Sequence, residues 1–251
     1  AAVKDRIEHS SSLRQKMFKH ALEVGRKHNV QYLARRKRPP MSLSLEYKLL
    51  NRTVLSMVRK QLGLENAHIF PTAGARVSPE VEEFVHAIGL NIMVGYGLTE
   101  SVATVSCDHL DKPITLGSVG RVIEGLQLKI GENNEVLLKG PTITKGYYKR
   151  ESLNATIFTE DGFFRTGDAG YIKDGELFLT ERIKDLYKTS NGKYIAPQMI
   201  EALLLVDKYI DQVAVVADER KFVSALVVPE FRLLEEFAKA HSIDFSSREE
   251  L

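Results

Sequence analysis

The sequence has few of the features that mark secreted or membrane-spanning proteins. Its 251 residues contain one cysteine, Cys107, so no internal disulfide can form, and we expect a reducing, cytoplasmic compartment. No apolar run approaches the roughly 20 residues that a membrane-spanning helix needs. Charged residues interrupt the first eight positions, so we expect no signal peptide there. With 35 basic and 33 acidic residues the net charge is only +2, which argues against a nucleic-acid polymer as a partner.

What is present is the composition and patterning of a multi-part α/β protein. Hydrophobic residues make up 43% of the chain and charged residues 27%, as in ordinary globular proteins. Helical spacing of apolar residues predicts helices over residues 1–30 and 42–62, the second with an apolar side that includes Leu45, Leu49 and Val54. The intervening basic run, residues 35–38, fits a solvated linker, with an anionic membrane surface or a polyphosphate as the alternative.

A strand–helix–strand unit follows these helices. Ile69 and Phe70 begin a short strand, and Ser78-Pro79 is an N-cap followed by a proline at the first helical position. The helix carries an apolar stripe and ends at Gly89, and residues 91–94 form a buried type of strand. This order favours a parallel sheet with a crossover helix. The stripe consists of Val81, Phe84, Val85 and Ile88.

The second half of the chain has the sequence pattern of antiparallel hairpins. Residues 126–130 and 135–138 predict one hairpin, and residues 171–172 and 177–179, joined at Asp174-Gly175, predict another. Mixed α/β signals return after Lys188. We therefore predict three parts: part of a large parallel α/β domain, an antiparallel β subdomain, and a small α+β domain that is incomplete. Their predicted bounds are residues 1–116, 117–184 and 185–251.

The last residues predict the start of a helix. Ser247 and Glu250 have the spacing of a capping box, in which each side chain bonds the backbone near the other. A helix start at the very end of the chain led to the expectation that this is a fragment of a longer protein, with a frayed polar tail as the alternative.

Three short stretches carry candidate chemistry. Residues 95–100, Gly-Tyr-Gly-Leu-Thr-Glu, follow a strand, and their glycines let the backbone turn near a ligand. Tyr96 offers a flat face to a base, Thr99 a hydroxyl to a phosphate, and Glu100 an oxygen to Mg²⁺. Asp168, in the stretch Phe-Arg-Thr-Gly-Asp, can accept hydrogen bonds from both hydroxyls of a ribose, because its carboxylate has two acceptor oxygens. Residues 181–188 resemble a charged hinge with Arg182 facing a nucleotide. Each stretch alone also fits a plain structural role: a glycine turn, an Asx turn and an edge strand, respectively.

Taken in order, these stretches closely resemble the motifs of the AMP-forming acyl-CoA synthetases, in the adenylate-forming superfamily. The resemblance covers about residues 71–230 and includes residues 192–197, Gly-Lys-Tyr-Ile-Ala-Pro. The sequence of residues 180–185 is most similar to that of the long-chain fatty acid branch of the family. The resemblance implies ATP, Mg²⁺ and coenzyme A as cofactors, and a fatty acid or another carboxylic acid as substrate.

The resemblance also implies roles for individual residues. Thr99 and Glu100 are the expected catalytic residues, and Glu100 is also the expected Mg²⁺ ligand. Asp185 is the expected hinge between two domain orientations. The remaining expected nucleotide and CoA contacts are Gly74, Ala75, Tyr96, Gly97, Asp168, Arg182 and Gly192.

Two departures from the family pattern bear on activity. Nothing in residues 1–70 matches the family's phosphate loop, and the chain ends before the family's C-terminal catalytic lysine is due. Arg76-Val77 also stand where the family often has Pro-Leu. We therefore expect the chain alone to lack adenylation activity. Three alternatives stay open: a non-catalytic nucleotide-binding remnant, an adenylating enzyme with a carrier-protein acceptor, and a weak peripheral membrane association through the basic run.

Overall fold

The structure is a computed structural model. It describes residues 10–67, 69–75, 77–109, 111–183, 186–188, 194–217, 220 and 222–250. These residues belong to two structural units, one within Val3–Thr180 and the other within Glu181–Leu251.

The first unit begins with a layer of helices. Helix α1 is Ser12–Gly25, extended by π-helical turns over Arg26–Leu33. A second rod contains α2, Met41–Leu50, a π-helical segment Asn51–Leu55, and α3, Ser56–Gln61. These elements confirm the two predicted helices over the part that the structure describes. They share one apolar core, made of Phe18, Ala21, Val54, Leu55, Val58, Ile88 and Leu90.

The predicted apolar sides of these helices are only partly buried. Val54 and Leu55 are buried, but Leu45 is 65% exposed and Leu49 is 64% exposed. The prediction was therefore wrong for the N-terminal half of the second rod. Helical spacing shows that residues share a face, but a face is buried only where another element packs on it.

The first sheet has the strand order β1-β2-β3-β4. Strands β1 and β2 are parallel, with Thr72 opposite Val94, and the remaining pairs are antiparallel. Helix α4 connects β1 to β2, which confirms the predicted strand–helix–strand unit. The elements are β1 Ile69–Thr72, α4 Pro79–Ala87, β2 Asn91–Leu98, β3 Ala103–Cys107 and β4 Arg121–Val122.

Helix α4 begins as predicted, and most of its predicted apolar stripe packs in the core: Ile88 is buried, and Phe84 and Val85 are partly buried against it. The Val81 N–H donates to Ser78 Oγ at 3.3 Å, which confirms the N-cap. Val81 itself is 51% exposed, so its place in the predicted apolar stripe was wrong. The buried side includes Glu82 and His86, which are polar and therefore escape a search for apolar periodicity.

The second sheet has the antiparallel order β5-β6-β7-β8, which confirms both predicted hairpins. Its inner face joins Tyr96 and Val105 of the first sheet in a second core with Val136, Leu138 and Leu177. The division of the chain at residues 116 and 184 stays a prediction. The elements are β5 Gln127–Ile130, β6 Glu135–Lys139, α5 Glu151–Asn154, β7 Phe164–Lys173 and β8 Glu176–Arg182.

The second unit is a small α+β arrangement. Strand β11 pairs antiparallel with β12, and the Val215 N–H donates to Glu201 Oε1 of helix α6 at 2.8 Å. Near the C-terminus, the Glu250 carboxylate accepts bonds from the N–H and hydroxyl of Ser246, and these together with a backbone hydrogen bond from Ser247 lower the pKa of Glu250. The elements are β9 Tyr187–Lys188, β10 Tyr194–Ile195, α6 Pro197–Leu204, β11 Ile210–Val216, β12 Ser224–Pro229 and α7 Phe231–Ala240. None of the helices described in either unit is both long and apolar enough to cross a membrane.

Candidate functional site

The candidate site lies where the parallel strands β1 and β2 end. Because Thr72 pairs with Val94, the loop after β1 and the glycine-containing end of β2 lie at the same edge of the sheet. Gly74 has φ +88° and Ala75 is exposed, and a Cβ built on Gly74 would have no neighbour within 4 Å. The loop therefore leaves open backbone surface at the position where α/β sheets bind ligands.

Tyr96 and Asp168 meet across the two sheets, although 72 positions separate them. The Tyr96 hydroxyl donates to Asp168 Oδ2 at 2.5 Å, and both residues are buried, 8% and 9% exposed. Hydrogen bonds to ionised acceptors are shorter and stronger than neutral ones. This contact joins the first predicted motif to the second and fixes the carboxylate.

The turn that carries Asp168 is held by a residue that the motif does not contain. Gly167 has φ +73°, and its N–H donates to Glu135 Oε1 at 3.1 Å. Glu135 Oε2 accepts from Arg165 at 2.9 Å, and the Thr166 hydroxyl donates to the Val136 carbonyl at 2.7 Å. The register of β6 and β7 shifts at this point, between Glu135 and Leu137. Glu135 therefore stabilises the bulge that aims Asp168 inward.

Thr99 and Glu100 lie on a single 3₁₀ turn, Thr99–Ser101, directly after β2. Buried Ser101 closes the turn: its Oγ accepts from the Leu98 N–H at 3.0 Å and donates to the Leu98 carbonyl at 2.9 Å. Thr99 is exposed, and Glu100 is half-buried. The Tyr147 hydroxyl donates to Glu100 Oε1 at 2.5 Å, which raises the pKa of the tyrosine above its ordinary value.

The donor set at Glu100 fits Mg²⁺ bound together with a nucleotide. No residue among those described donates a hydrogen bond to Glu100 Oε2, so this carboxylate oxygen keeps its lone pairs for a cation. Mg²⁺ is usually held by one or two carboxylates, with phosphate oxygens and waters as its other ligands. Among the described residues, no group of three or more His, Cys, Asp or Glu side chains is placed to hold a metal ion.

Behind the site lies a group of buried carboxylates. Asp108 Oδ2 accepts from the Val94 N–H at 2.8 Å, and burial raises the pKa of Asp108 to about 6. Glu82 Oε2 accepts from the Gly117 N–H at 2.8 Å, and burial raises the pKa of Glu82 to about 7. The first contact ties the backbone of β2 to the Asp108 side chain, and the second ties helix α4 to the Gly117 backbone.

The structure thus brings some of the predicted residues together. Tyr96 contacts Asp168, Gly97 lies on the same strand as Tyr96, and Thr99 and Glu100 follow on the next turn. Arg182 is the last residue of β8 and belongs to the second unit. Gly192 and Asp185 lie outside the described residues, as does Arg76.

Sequence reasoning missed three residues that support the site. Glu135, Asp108 and Tyr147 hold the Asp168 turn, strand β2 and Glu100, respectively. Glu135 begins a predicted strand, but nothing in the sequence identifies its distant partner. Tyr147 lies just past the predicted hairpin strand, in a stretch where no motif was recognised.

Comparison with known proteins assigns the family. The model of the family described as AMP-binding enzyme matches residues 15–148, just over half of the chain. The chain therefore belongs to the AMP-binding enzymes. The Mycobacterium bovis protein named long-chain-fatty-acid–CoA ligase FadD15 is 33% identical over 190 residues, which is 75% of this chain and 31% of that protein.

A second curated relative and a solved structure are also similar to the chain. A chloroplastic Arabidopsis thaliana protein named long-chain-fatty-acid–[acyl-carrier-protein] ligase AEE15 is 30% identical over 205 residues, 73% of this chain and 28% of its own length. The Bacillus subtilis O-succinylbenzoate coenzyme A synthetase, solved with ATP and magnesium, shares the fold at a TM-score of 0.59 and 24% identity, over 81% of this chain and 48% of that one. The chain spans about a third of the length of the curated relatives it matches.

Proposed function

We propose that the whole protein containing this chain is an ATP-dependent acid–thiol ligase. In the first step, a carboxylate oxygen of the acid attacks the α-phosphorus of ATP, and pyrophosphate leaves. In the second step, the sulfur of coenzyme A attacks the acyl carbonyl carbon, and AMP leaves. The observation that carries this proposal is the contact of Tyr96 with Asp168, on the strand that leads directly into the turn of Glu100, in a chain of the AMP-binding family.

Each side chain has a defined task in this proposal. Asp168 accepts hydrogen bonds from the ribose hydroxyls, and the Tyr96 hydroxyl holds the Asp168 carboxylate in place. Thr99, exposed on its turn, donates to the α-phosphate. Glu100 would hold Mg²⁺, which when bound supplies charge neutralisation at the phosphates. The open loop at Gly74 and Ala75 borders the base. We extend the nucleotide and CoA contacts to Arg182 and Gly192 on the motif resemblance alone.

We further propose a long-chain fatty acid as the substrate. The support is the name of the mycobacterial relative, to which three-quarters of the chain aligns. A second acceptor deserves a direct test, because the Arabidopsis relative is named for transfer to an acyl carrier protein. The two acceptors share the same adenylate intermediate, so they differ only in the second step.

The 251-residue chain by itself is proposed to be inactive in adenylation. It contains no match to the family's phosphate loop. Groups that stabilise developing charge typically contribute orders of magnitude to rate, so their loss leaves little turnover.

The experiment is pyrophosphate release with MgATP and a ladder of saturated fatty acids, on the protein extended to its natural ends and on the 251-residue chain. Coenzyme A and acyl carrier protein are supplied in separate reactions. We expect release by the extended protein only, rising with fatty acid length, and thioester formation with coenzyme A. Thioester formation only with the carrier protein would select the second acceptor. Nucleotide binding without release for any acid would leave a non-catalytic nucleotide-binding protein.

A further inference from the structure

The loop formed by residues 144–147 contacts Glu100 in two independent ways. The Thr144 N–H donates to the Glu100 carbonyl at 2.7 Å, and the Tyr147 hydroxyl donates to Glu100 Oε1 at 2.5 Å. One contact fixes the backbone of Glu100 and the other fixes its carboxylate. The loop precedes helix α5 and is distant in sequence from the motif that contains Glu100, so no local pattern links the two.

The backbone of Tyr147 is clamped from the other side. Its N–H donates to Asn154 Oδ1 at 2.7 Å, and Asn154 Nδ2 donates to the Tyr147 carbonyl at 2.9 Å. The preceding Gly146 has φ +133°, and a Cβ built there would lie 2.9 Å from Asn154 Oδ1, so the clamp needs glycine at this position. The Gly146 N–H also donates to Thr144 Oγ1 at 3.2 Å. The backbone from which the Tyr147 side chain extends toward Glu100 is therefore held in place.

We infer that Tyr147 is a positioning residue that orients the Glu100 carboxylate toward the Mg²⁺ of MgATP. The inference rests on the proposed function, because it takes Glu100 as the metal ligand. With Oε1 bound by the tyrosine hydroxyl, Oε2 is the oxygen presented to the cation. Without this bond, the Glu100 side chain would sample several rotamers, and metal binding would have to restrict it to one of them. Partners that orient a metal ligand typically contribute 10- to 100-fold in metal affinity.

The neighbouring Tyr148 supplies a matched control. It is 86% exposed, and the Lys149 ammonium lies 5.2 Å from its ring centroid. Tyr147→Phe and Tyr148→Phe each delete one phenolic hydroxyl from adjacent positions. The two variants therefore differ only in whether Glu100 loses its partner.

The test measures ATP binding by isothermal titration calorimetry on the protein extended to its natural ends, once with Mg²⁺ and once with a chelator. In the unaltered protein, we expect Mg²⁺ to tighten ATP binding. For Tyr147→Phe we expect that gain to fall about 10- to 100-fold, with the chelator affinity unchanged. Tyr148→Phe should match the unaltered protein in both conditions.

Each outcome of this experiment decides the inference. An undiminished Mg²⁺ gain in Tyr147→Phe overturns it, and so does an equal loss with and without Mg²⁺, which would indicate a merely structural role. If Mg²⁺ gives no gain in the unaltered protein, Glu100 is not a metal ligand and the inference is wrong. Pyrophosphate release, measured separately, judges the proposed reaction, so the two failures can be told apart.

Discussion

We expect the buried carboxyl of Glu82 to make the stability of this chain depend on pH, and Glu82→Gln to remove that contribution. The Glu82 side chain is 1% exposed; among the described residues, its Oε2 accepts one hydrogen bond, from the Gly117 N–H, and its Oε1 has no partner. Burial is the main cause that raises its pKa from 4.5 to about 7, and the charges of Asp108 and Glu176 add to it. The folded chain therefore holds the Glu82 proton more tightly than the unfolded chain does.

The sign and size of the effect follow from this shift. A raised folded-state pKa contributes stability that is fully present below pH 4.5 and is lost as the pH rises toward 7. At about 1.4 kcal/mol per pKa unit, the loss amounts to about 3 kcal/mol. Glutamine stays neutral at every pH, so the free energy of unfolding of Glu82→Gln should change less with pH than that of the unaltered chain. Asp108, with a pKa raised to about 6, lowers stability with rising pH in both the unaltered chain and Glu82→Gln. Its contribution therefore largely cancels when the free energies of unfolding of the two proteins are subtracted.

The assay is urea denaturation of the chain at pH 5 and at pH 8, with Glu80→Gln as the control, since Glu80 is an exposed glutamate on the same helix. We expect the free energy of unfolding of Glu82→Gln, relative to the unaltered chain, to rise by about 2.5 kcal/mol between the two pH values. Glu80→Gln should show no such rise. Parallel pH dependences for the unaltered chain and Glu82→Gln would refute the reasoning.

Two further substitutions test the supports of the site. Tyr96→Phe removes the donor to buried Asp168, so we expect a loss of about 1.5–3 kcal/mol in stability by denaturation and weaker ATP binding by calorimetry; unchanged ATP affinity would contradict the role given to this contact. Glu135→Ala frees the Gly167 N–H and should cost about 1–3 kcal/mol, whereas Glu135→Gln keeps an acceptor and should cost less. Equal losses in the two Glu135 variants would show that the acceptor does not matter.

The elements of this fold were predictable where local chemistry determines them. Asp174-Gly175 is a turn dipeptide, and it does join β7 to β8. The Ser78 side chain caps α4 because an N-cap needs only residues three positions apart. Parallel pairing of β1 and β2 follows from the crossover helix between them.

What could not be predicted depends on partners distant in sequence. Glu82 interrupts an apolar stripe, and its burial is set by the Gly117 backbone 35 residues later. Tyr147 and Glu135 become identifiable only when the loop and the bulge place them against Glu100 and Gly167. Periodicity specifies which residues share a face, but tertiary packing decides which faces and which polar groups find partners.

The central claim is that this chain forms part of an enzyme that makes acyl-adenylates. Its most direct test is acid-dependent pyrophosphate release from MgATP by the protein extended to its natural ends, with an Asp168→Ala variant alongside. The account predicts release that requires a fatty acid and is strongly reduced in the variant, because the proposal assigns ribose binding to the buried carboxylate of Asp168. No release with any acid of the ladder, or equal release by both proteins, would contradict it.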